Sequence, residues 1–231
     1  ETESQYQYDE KNNLIKIQDE RGNSSTYAYD QDDNLVSWTD KEGNEWNYAY
    51  DEAGHLRQAI DPENHIYQYV HDALGRLASY TSPGGKTTFC QYSKAGDLVK
   101  IEDADGEVLF CYDENGNPTE ITDRRGNKQL LEYNEMGQLA SVTDFQGNRY
   151  QYTYDVRGNL SREINPLGAQ TGYIYDAGGN NTARTDGNGN VTAYAFDEAG
   201  RLTQVTDAAG GILQYVYDAM GRIGTVIDPL K

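Results

Sequence analysis

The sequence predicts an all-β fold, a β-meander of roughly twenty antiparallel strands, and three observations predict it. First, a Tyr-Asp pair returns on one arithmetic register: Tyr8-Asp9, Tyr29-Asp30, Tyr50-Asp51, Tyr154-Asp155, Tyr175-Asp176 and Tyr217-Asp218. Degenerate copies at His71-Asp72, Tyr92-Ser93, Tyr112-Asp113, Tyr133-Asn134 and Phe196-Asp197 bring the register to eleven members, with nine intervals of 21 residues and one, Ser93 to Asp113, of 20. Second, two turn positions at fixed offsets are held by glycine in nearly every copy. Third, the segments between them are short and rich in aromatic and β-branched residues, and none sustains a 3.6-residue period. The register runs from end to end, so residues 1–231 are expected to form a single array with no domain boundary.

In chain order, one copy reads Tyr-x-Tyr-Asp-x-x-Gly, a polar residue, Leu, a short alternating stretch, Asp-x-x-Gly, and a strand back to the next tyrosine. The first turn uses Gly54, Gly75, Gly96, Gly116, Gly137, Gly158, Gly179, Gly200 and Gly221, with Asn12 and Asp33 as substitutes. The second uses Gly22, Gly43, Gly85, Gly106, Gly126, Gly147, Gly168, Gly189 and Gly210, with Asn64 as substitute. Asp-x-x-Gly is the spacing of a type I turn followed by a left-handed residue, with the carboxylate capping its own turn. In hairpins this is a three-residue loop with a glycine bulge. The strands follow as Leu14-Ile15-Lys16-Ile17 and Leu35-Val36-Ser37-Trp38 after first turns, and as Tyr27-Ala28-Tyr29 and Tyr48-Ala49-Tyr50 before them.

Strand side chains alternate with period two, so tyrosines three and one residues before each anchor Asp share a face. Seventeen of the 20 tyrosines hold these positions, among them Tyr27, Tyr29, Tyr48, Tyr50, Tyr152 and Tyr154. The first turn sets Tyr29 opposite Leu35, Tyr50 opposite Leu56 and Tyr154 opposite Leu160. Cross-strand aromatic pairs of this kind contribute about 0.2–1 kcal/mol each. The odd period then poses a parity problem, because two regular strands and two three-residue loops would flip the tyrosine face at every copy. Either one loop of even length or an extra bulged residue in one strand corrects it. The 20-residue copy keeps Gly106 in register and alternates cleanly through Val108, Phe110 and Tyr112, which points to a bulge normally held by the strand leading into Tyr-Asp.

Composition narrows the function. With 19 basic against 38 acidic side chains the net charge is -19, which repels nucleic-acid backbones and anionic lipid headgroups. No apolar stretch is long enough to span a bilayer, so no membrane insertion by this segment is expected, and Glu1 to Tyr8 lacks a signal-peptide pattern. The start reads as that of an excised piece. Cys90 and Cys111 sit near the ends of equivalent strands in neighbouring copies, one strand and roughly 10 Å apart, beyond disulfide reach. Two free thiols are expected, as small buried hydrophobes.

Tyr48-Ala49-Tyr50-Asp51-Glu52-Ala53-Gly54-His55-Leu56 and Tyr194-Ala195-Phe196-Asp197-Glu198-Ala199-Gly200-Arg201-Leu202 closely resemble the YD repeat of the Rhs family, and the match covers nearly the whole chain. That family includes bacterial Rhs polymorphic toxins, the B and C components of insecticidal toxin complexes, and animal teneurins. The resemblance implies a sheet curled as part of a β-spiral shell or barrel, enclosing a C-terminal effector in the bacterial toxins and forming part of an adhesion ectodomain in teneurins. It further implies a secreted or cell-surface location. The self-cleavage motif of such toxins, of the Asp-Pro-x-Gly type, has its nearest strings here in Asp61-Pro62-Glu63-Asn64 and Asn165-Pro166-Leu167-Gly168, which fall at ordinary second turns, and Asp228-Pro229-Leu230-Lys231 opens another. Neither protease nor toxin is therefore expected.

Site chemistry is sparse. His55, His65 and His71 fall within 17 residues but hold three different repeat positions, and are read as surface or stacking histidines rather than zinc ligands. The recurrent Asp19, Asp40, Asp61, Asp103, Asp123, Asp144, Asp186, Asp207 and Asp228 are explained by capping, one carboxylate per turn, rather than by calcium. No nucleophile elbow, phosphate loop, Ser/His/Asp set or distinctive carboxylate pair stands out. Asn23-Ser24-Ser25, Asn159-Leu160-Ser161 and Asn180-Asn181-Thr182 match the glycosylation acceptor pattern, as chance allows in so Asn-rich a chain.

The residues selected are therefore structural: Tyr27, Tyr29, Asp30, Leu35, Tyr48, Tyr50, Asp51, Gly54, Leu56, Tyr152, Tyr154, Asp155, Gly158, Leu160, Gly200 and Gly221. The expected function is a non-catalytic module of the encapsulating shell of a secreted Rhs-type toxin, without cofactor, whose partner is its own C-terminal effector domain or other cargo. The alternative is a cell-surface module whose tyrosines bind carbohydrate or a partner protein. A third idea is homotypic association through open terminal strands.

Overall fold

The computed structural model describes residues 4–228. They form twenty-two strands, with no helix among the described residues, and the chain divides into two compact units, Glu1–Phe110 and Cys111–Lys231. The first holds β1 (Gln5–Tyr8), β2 (Leu14–Gln18), β3 (Ser24–Tyr29), β4 (Leu35–Thr39), β5 (Glu45–Tyr50), β6 (Leu56–Ile60), β7 (Ile66–His71), β8 (Leu77–Thr81), β9 (Thr87–Tyr92), β10 (Leu98–Asp103) and most of β11 (Gly106–Tyr112). The second continues with β12 (Pro118–Thr122), β13 (Lys128–Tyr133), β14 (Leu139–Thr143), β15 (Arg149–Tyr154), β16 (Leu160–Ile164), β17 (Gln170–Tyr175), β18 (Asn181–Thr185), β19 (Val191–Phe196), β20 (Leu202–Thr206), β21 (Ile212–Tyr217) and β22 (Ile223–Ile227). Within each unit, strands adjacent in sequence pair antiparallel, as short loops require.

One loop chemistry serves both turns. At a first turn, the Gly54 N–H donates to the Asp51 carbonyl at 3.0 Å and the Asp51 N–H donates to the His55 carbonyl at 2.9 Å. At a second turn, Gly189 and Asp186 repeat the pattern at 2.9 Å each. This is the type I turn with a glycine bulge that the spacing predicts. All eighteen turn glycines have positive φ, and so do Asn12 (69°), Asp33 (65°) and Asn64 (65°). The Asp-Pro and Asn-Pro strings close as ordinary second turns, with Asn64 donating to Asp61 and Gly168 to Asn165 at 2.9 Å. The string begun by Asp228 runs into residues outside those described.

The parity correction is real, but it lies elsewhere than the sequence suggested. In β3–β4, Ala28 faces Ser37 while Tyr29 faces Leu35, so Val36 has no partner; in β5–β6, β15–β16 and β17–β18 the same skip occurs at Arg57, Ser161 and Thr182. The extra residue therefore belongs to the strand that leaves the Tyr-Asp turn, not to the one that enters it. Without it, Leu35 and Trp38 would point to opposite faces. With it, Leu35 opposes Tyr29 and Trp38 opposes Tyr27.

The short copy keeps this bulge, since Leu98 faces Tyr92 and Lys100 faces Gln91 around the skipped Val99. It loses a residue at its second turn instead. Asp103 pairs directly with Gly106, leaving a two-residue loop of Ala104 and Asp105, and Ile101 still faces Val108. Shortening a loop leaves the alternation of both flanking strands intact, which is why 20 residues and 21 are equally compatible with one face.

There is almost no interior. Ala59, at 4% exposure, is the buried apolar residue among those described, Ser141 and Asp61 are buried polar ones, and no large side chain is fully enclosed. The tyrosine-rich composition foretells this, because an aromatic ring with a polar tip lines a layer better than it fills a thick core. The thiols follow the same rule. Both are free, but neither is buried as expected: Cys90 is half-buried in the row of tyrosine positions, and Cys111, next to Tyr112 and therefore alternating to the other side, is exposed.

Candidate functional surface

The pairings sort every strand residue to a side. Tyr27 faces Trp38, which faces Trp46; Tyr48 faces Ala59, which faces Tyr67; Tyr69 faces Tyr80. In the second unit Tyr152 faces Glu163, Tyr173 faces Arg184, and Tyr150 faces Val142. Tyr67, Tyr80 and Tyr150, which stand outside the two regular tyrosine positions, thus join the same side. In each unit all tyrosines, and in the first both tryptophans, occupy one face, while the alternate positions such as Val70, Phe89, Leu130 and Ile174 are exposed on the other. Ring contacts run along the aromatic face, with Trp46 and Tyr67 at 6.2 Å and Tyr69 and Tyr80 at 5.4 Å between centroids.

The anchors form a clasp that the sequence showed only in part. Asp155 Oδ1 accepts the N–H groups of Arg157 and Asn159 at 2.9 Å, and its Oδ2 accepts the Asn159 side-chain amide at 3.0 Å. Asp30 is held in the same way by Asp32 and Asn34, and Asp51 by Ala53 and His55. Hydrogen bonds to the ionised form lower its pKa, and these carboxylates sit below the ordinary 3.8: for Asp30 and Asp155 the asparagine amide contributes most, for Asp51 the His55 N–H. The acceptor-pattern asparagines Asn23, Asn159 and Asn180 all donate their side-chain nitrogen to such an Asp, so each is a turn-closing residue.

A contact between copies escaped the sequence. The hydroxyls of Tyr29, Tyr50, Tyr92, Tyr154 and Tyr217 donate to the carbonyls of Leu14, Leu35, Leu77, Leu139 and Leu202, at 2.7–3.1 Å, each fifteen residues earlier. The same tyrosine that opposes the leucine of its own hairpin thus fastens to the leucine of the preceding one, which explains tyrosine rather than phenylalanine. A second recurrent contact places the side chain after the first-turn glycine over the next copy's tyrosine: Arg76 over Tyr92 at 4.4 Å and Arg201 over Tyr217 at 4.7 Å. Of the remaining selected positions, Gly54, Gly158, Gly200 and Gly221 are left-handed turn residues with φ of 83°, 90°, 75° and 77°.

On the aromatic face, the strand position opposite the first tyrosine of each pair is mostly apolar: Ile17, Trp38, Ala59, Tyr80, Ile101 and Val142. Glu163 and Arg184 break this row. The Tyr173 hydroxyl donates to Glu163 Oε1 at 2.9 Å, and Tyr173 lies opposite Arg184, so a carboxylate, a phenol and a guanidinium meet on an otherwise aromatic surface. Burial and then the Glu163 hydrogen bond push the Tyr173 hydroxyl pKa up. Beside them lies a cavity of about 160 Å³ lined by Tyr150, Tyr152, Glu163 and Thr171.

Two family models match the chain: the teneurin YD-shell model over residues 84–226 and the RHS repeat model over 8–43, 29–66 and 50–87. No curated protein matches it. Among solved structures, it is similar to a TcdB2-TccC3 crystal structure (17% identity, TM-score 0.43, 99% of this chain and 18% of that one) and to the Photorhabdus luminescens Tc holotoxin pore (15%, 0.44, 99% and 18%). A porin-like protein from Bacteroides uniformis aligns at 11% identity and TM-score 0.24, over 89% of this chain and 88% of that one. The chain thus spans less than a fifth of the toxin chains it matches.

Proposed function

Because this chain belongs to the family of RHS-repeat and teneurin YD-shell proteins, we propose that it is a non-catalytic wall segment of a secreted or cell-surface protein, with its eleven copies acting as one array whose aromatic face is turned toward an enclosed effector domain or other cargo. One observation carries this reading: each unit gathers its tyrosines on one face, and the described residues of that unit lay no second layer over it. Desolvated aromatic area is the largest source of stability open to so thin a sheet, and the half-buried rings leave much of it unused. The Trp38 indole N–H on the same face is buried without an acceptor. Cargo, or the remainder of a shell, supplies both cover and partner. Acidity directs the choice of contents away from nucleic acid.

The two cysteines test the reading, because Cys90 takes a tyrosine position and Cys111 the opposite side of its own strand. Alkylation by a bulky maleimide, mapped by mass spectrometry, is compared between this chain alone and its parent polypeptide. Burial raises the Cys90 thiol pKa and slows its reaction in both, so the ratio isolates the cover. Cys111 should react equally fast in both, and Cys90 should become unreactive in the parent. Equal Cys90 rates would overturn the proposal.

A second reading, recognition of a carbohydrate, is favoured by the cavity at Tyr150 and Tyr152, where aromatic rings adjoin the Glu163 carboxylate, a pairing suited to the apolar face and hydroxyl edge of a sugar. Glycan-array binding that disappears in Tyr150→Ala would support it, and an array without signal would discard it.

A further inference from the structure

In the first unit, the slot that elsewhere stacks an arginine on the next copy's tyrosine holds two histidines: His55 follows the first-turn glycine, and His71 stands where the tyrosine would be. Their rings stack with centroids 5.0 Å apart and planes 27° apart. Together with Asp51 they bring three ligand atoms within 4.8 Å of one another.

The His55 ring is fixed from three sides. Its Nδ1 lies 3.3 Å from Asp51 Oδ2, its Nε2 rests against Gly75 where a Cβ would stand 2.5 Å away, and the His71 ring lies beside it with centroids 5.0 Å apart. Asp51 Oδ1 is occupied by two backbone N–H groups, which holds the carboxylate and leaves Oδ2 directed at the histidine. A 3.3 Å separation is long for a hydrogen bond, yet it is the edge of a tetrahedron about an ion with ligand bonds of about 2.0–2.1 Å, which is about 3.3–3.4 Å. The neighbouring Asp61, Glu63 and His65 differ on this point. There His65 Nδ1 is 2.9 Å from Asp61 Oδ2, an ordinary hydrogen bond, Tyr67 also donates to that oxygen at 3.2 Å, and the set offers one imidazole.

We propose that Asp51 Oδ2, His55 Nδ1 and a ring nitrogen of His71 form a binding site for a divalent transition-metal ion of the zinc class, with water completing a tetrahedral shell. Two imidazoles and one carboxylate suit zinc rather than calcium or magnesium, which prefer oxygen ligands. The ion would bridge the turn after β5 to the end of β7, which are consecutive copies, at the place where His71 cannot make the tyrosine-to-leucine hydrogen bond seen in other copies. The site does not depend on what the aromatic face covers.

The repeat itself provides variants that preserve folding. Asn134 serves as an anchor elsewhere and accepts the same two N–H groups, asparagine is the commonest residue at the position of His55, and tyrosine at that of His71. The test titrates the 231-residue chain with Zn2+ by calorimetry and with Co2+ by visible absorption. Binding of one ion per chain, with the intense absorption of tetrahedral Co2+, is expected. His55→Asn and His71→Tyr should each weaken Zn2+ binding at least tenfold and Asp51→Asn should also weaken it, while the folded far-ultraviolet spectrum is kept; His65→Asn should leave affinity unchanged. Absence of one-to-one binding, equal affinity in His71→Tyr, or loss of binding in His65→Asn would overturn the site.

Discussion

The two rims of each unit's sheet are built from one loop and behave differently. At the Tyr-Asp rim, the loop is followed by a bulged residue, such as Val36, and by a tyrosine hydroxyl reaching to the preceding copy. At the second rim, the same Asp-x-x-Gly loop joins strands in unbroken register, as from Thr39 opposite Glu45 and Thr185 opposite Val191. One rim therefore sets which way side chains face, and the other only reverses the chain. The short copy illustrates the difference, since its missing residue is taken from the second rim while its bulge remains.

Deletions expose this contrast most strongly. Removing Val36 should invert the alternation downstream of β3 and abolish the cooperative thermal transition, because a one-residue slip turns the aromatic set to the other side. Removing Asn190 should reproduce the two-residue loop at Ala104-Asp105 and keep that transition, a few degrees lower. Calorimetry of the two deletions checks this, and equal outcomes would erase the distinction between rims.

Acid should act next, and on both rims together. The clasped carboxylates have folded-state pKa values depressed below 3.8, so their stabilisation is present in full above that value and is lost as pH falls through the depressed ones. The melting temperature should stay level from neutrality down to about pH 5 and fall steeply below pH 4. A profile that falls first near neutrality would take the loss away from these carboxylates.

Two glycine substitutions then separate backbone from neighbour. Gly147→Ala meets no atom within 4 Å and has only the left-handed φ of 87° to resist it, a cost of about 1–2 kcal/mol. Gly75→Ala, at φ 77°, should cost more because the new Cβ displaces the His55 ring. Urea denaturation measures both, and equal costs would remove the His55 contact from the account.

The smallest effects concern single hydroxyls. Tyr154→Phe should lose the bond to Leu139 and about 0.5–1.5 kcal/mol. The reverse change, Phe196→Tyr, places a hydroxyl where a sister copy would bond the carbonyl fifteen residues back and should raise the melting temperature slightly. A neutral result in both would show the tether to be incidental.

Much of this was legible beforehand for a physical reason: turns depend on a few residues with special backbone needs. Eighteen glycines, with Asn12, Asp33 and Asn64, announced every left-handed position, and alternation placed Tyr29 opposite Leu35. Parity required a bulge but did not say which strand held it, because Leu35 faces Tyr29 in either case. The Tyr50 hydroxyl bond to Leu35 crosses from one copy to the previous one, a relation that a single copy's pattern does not contain. His55 and His71 looked unrelated at sixteen residues apart; the slot that joins them emerges only when Arg76 and Tyr92 are seen stacked across the same distance.

The bulge also governs how such a gene can change length. Duplication of a whole copy adds a bulge with its strands and leaves every later ring on its original side, whereas loss of a single codon is harmless only where the second loop can absorb it. Inheritance of this surface is therefore granular: it lengthens in complete copies, and its reading direction is protected by a residue that pairs with nothing.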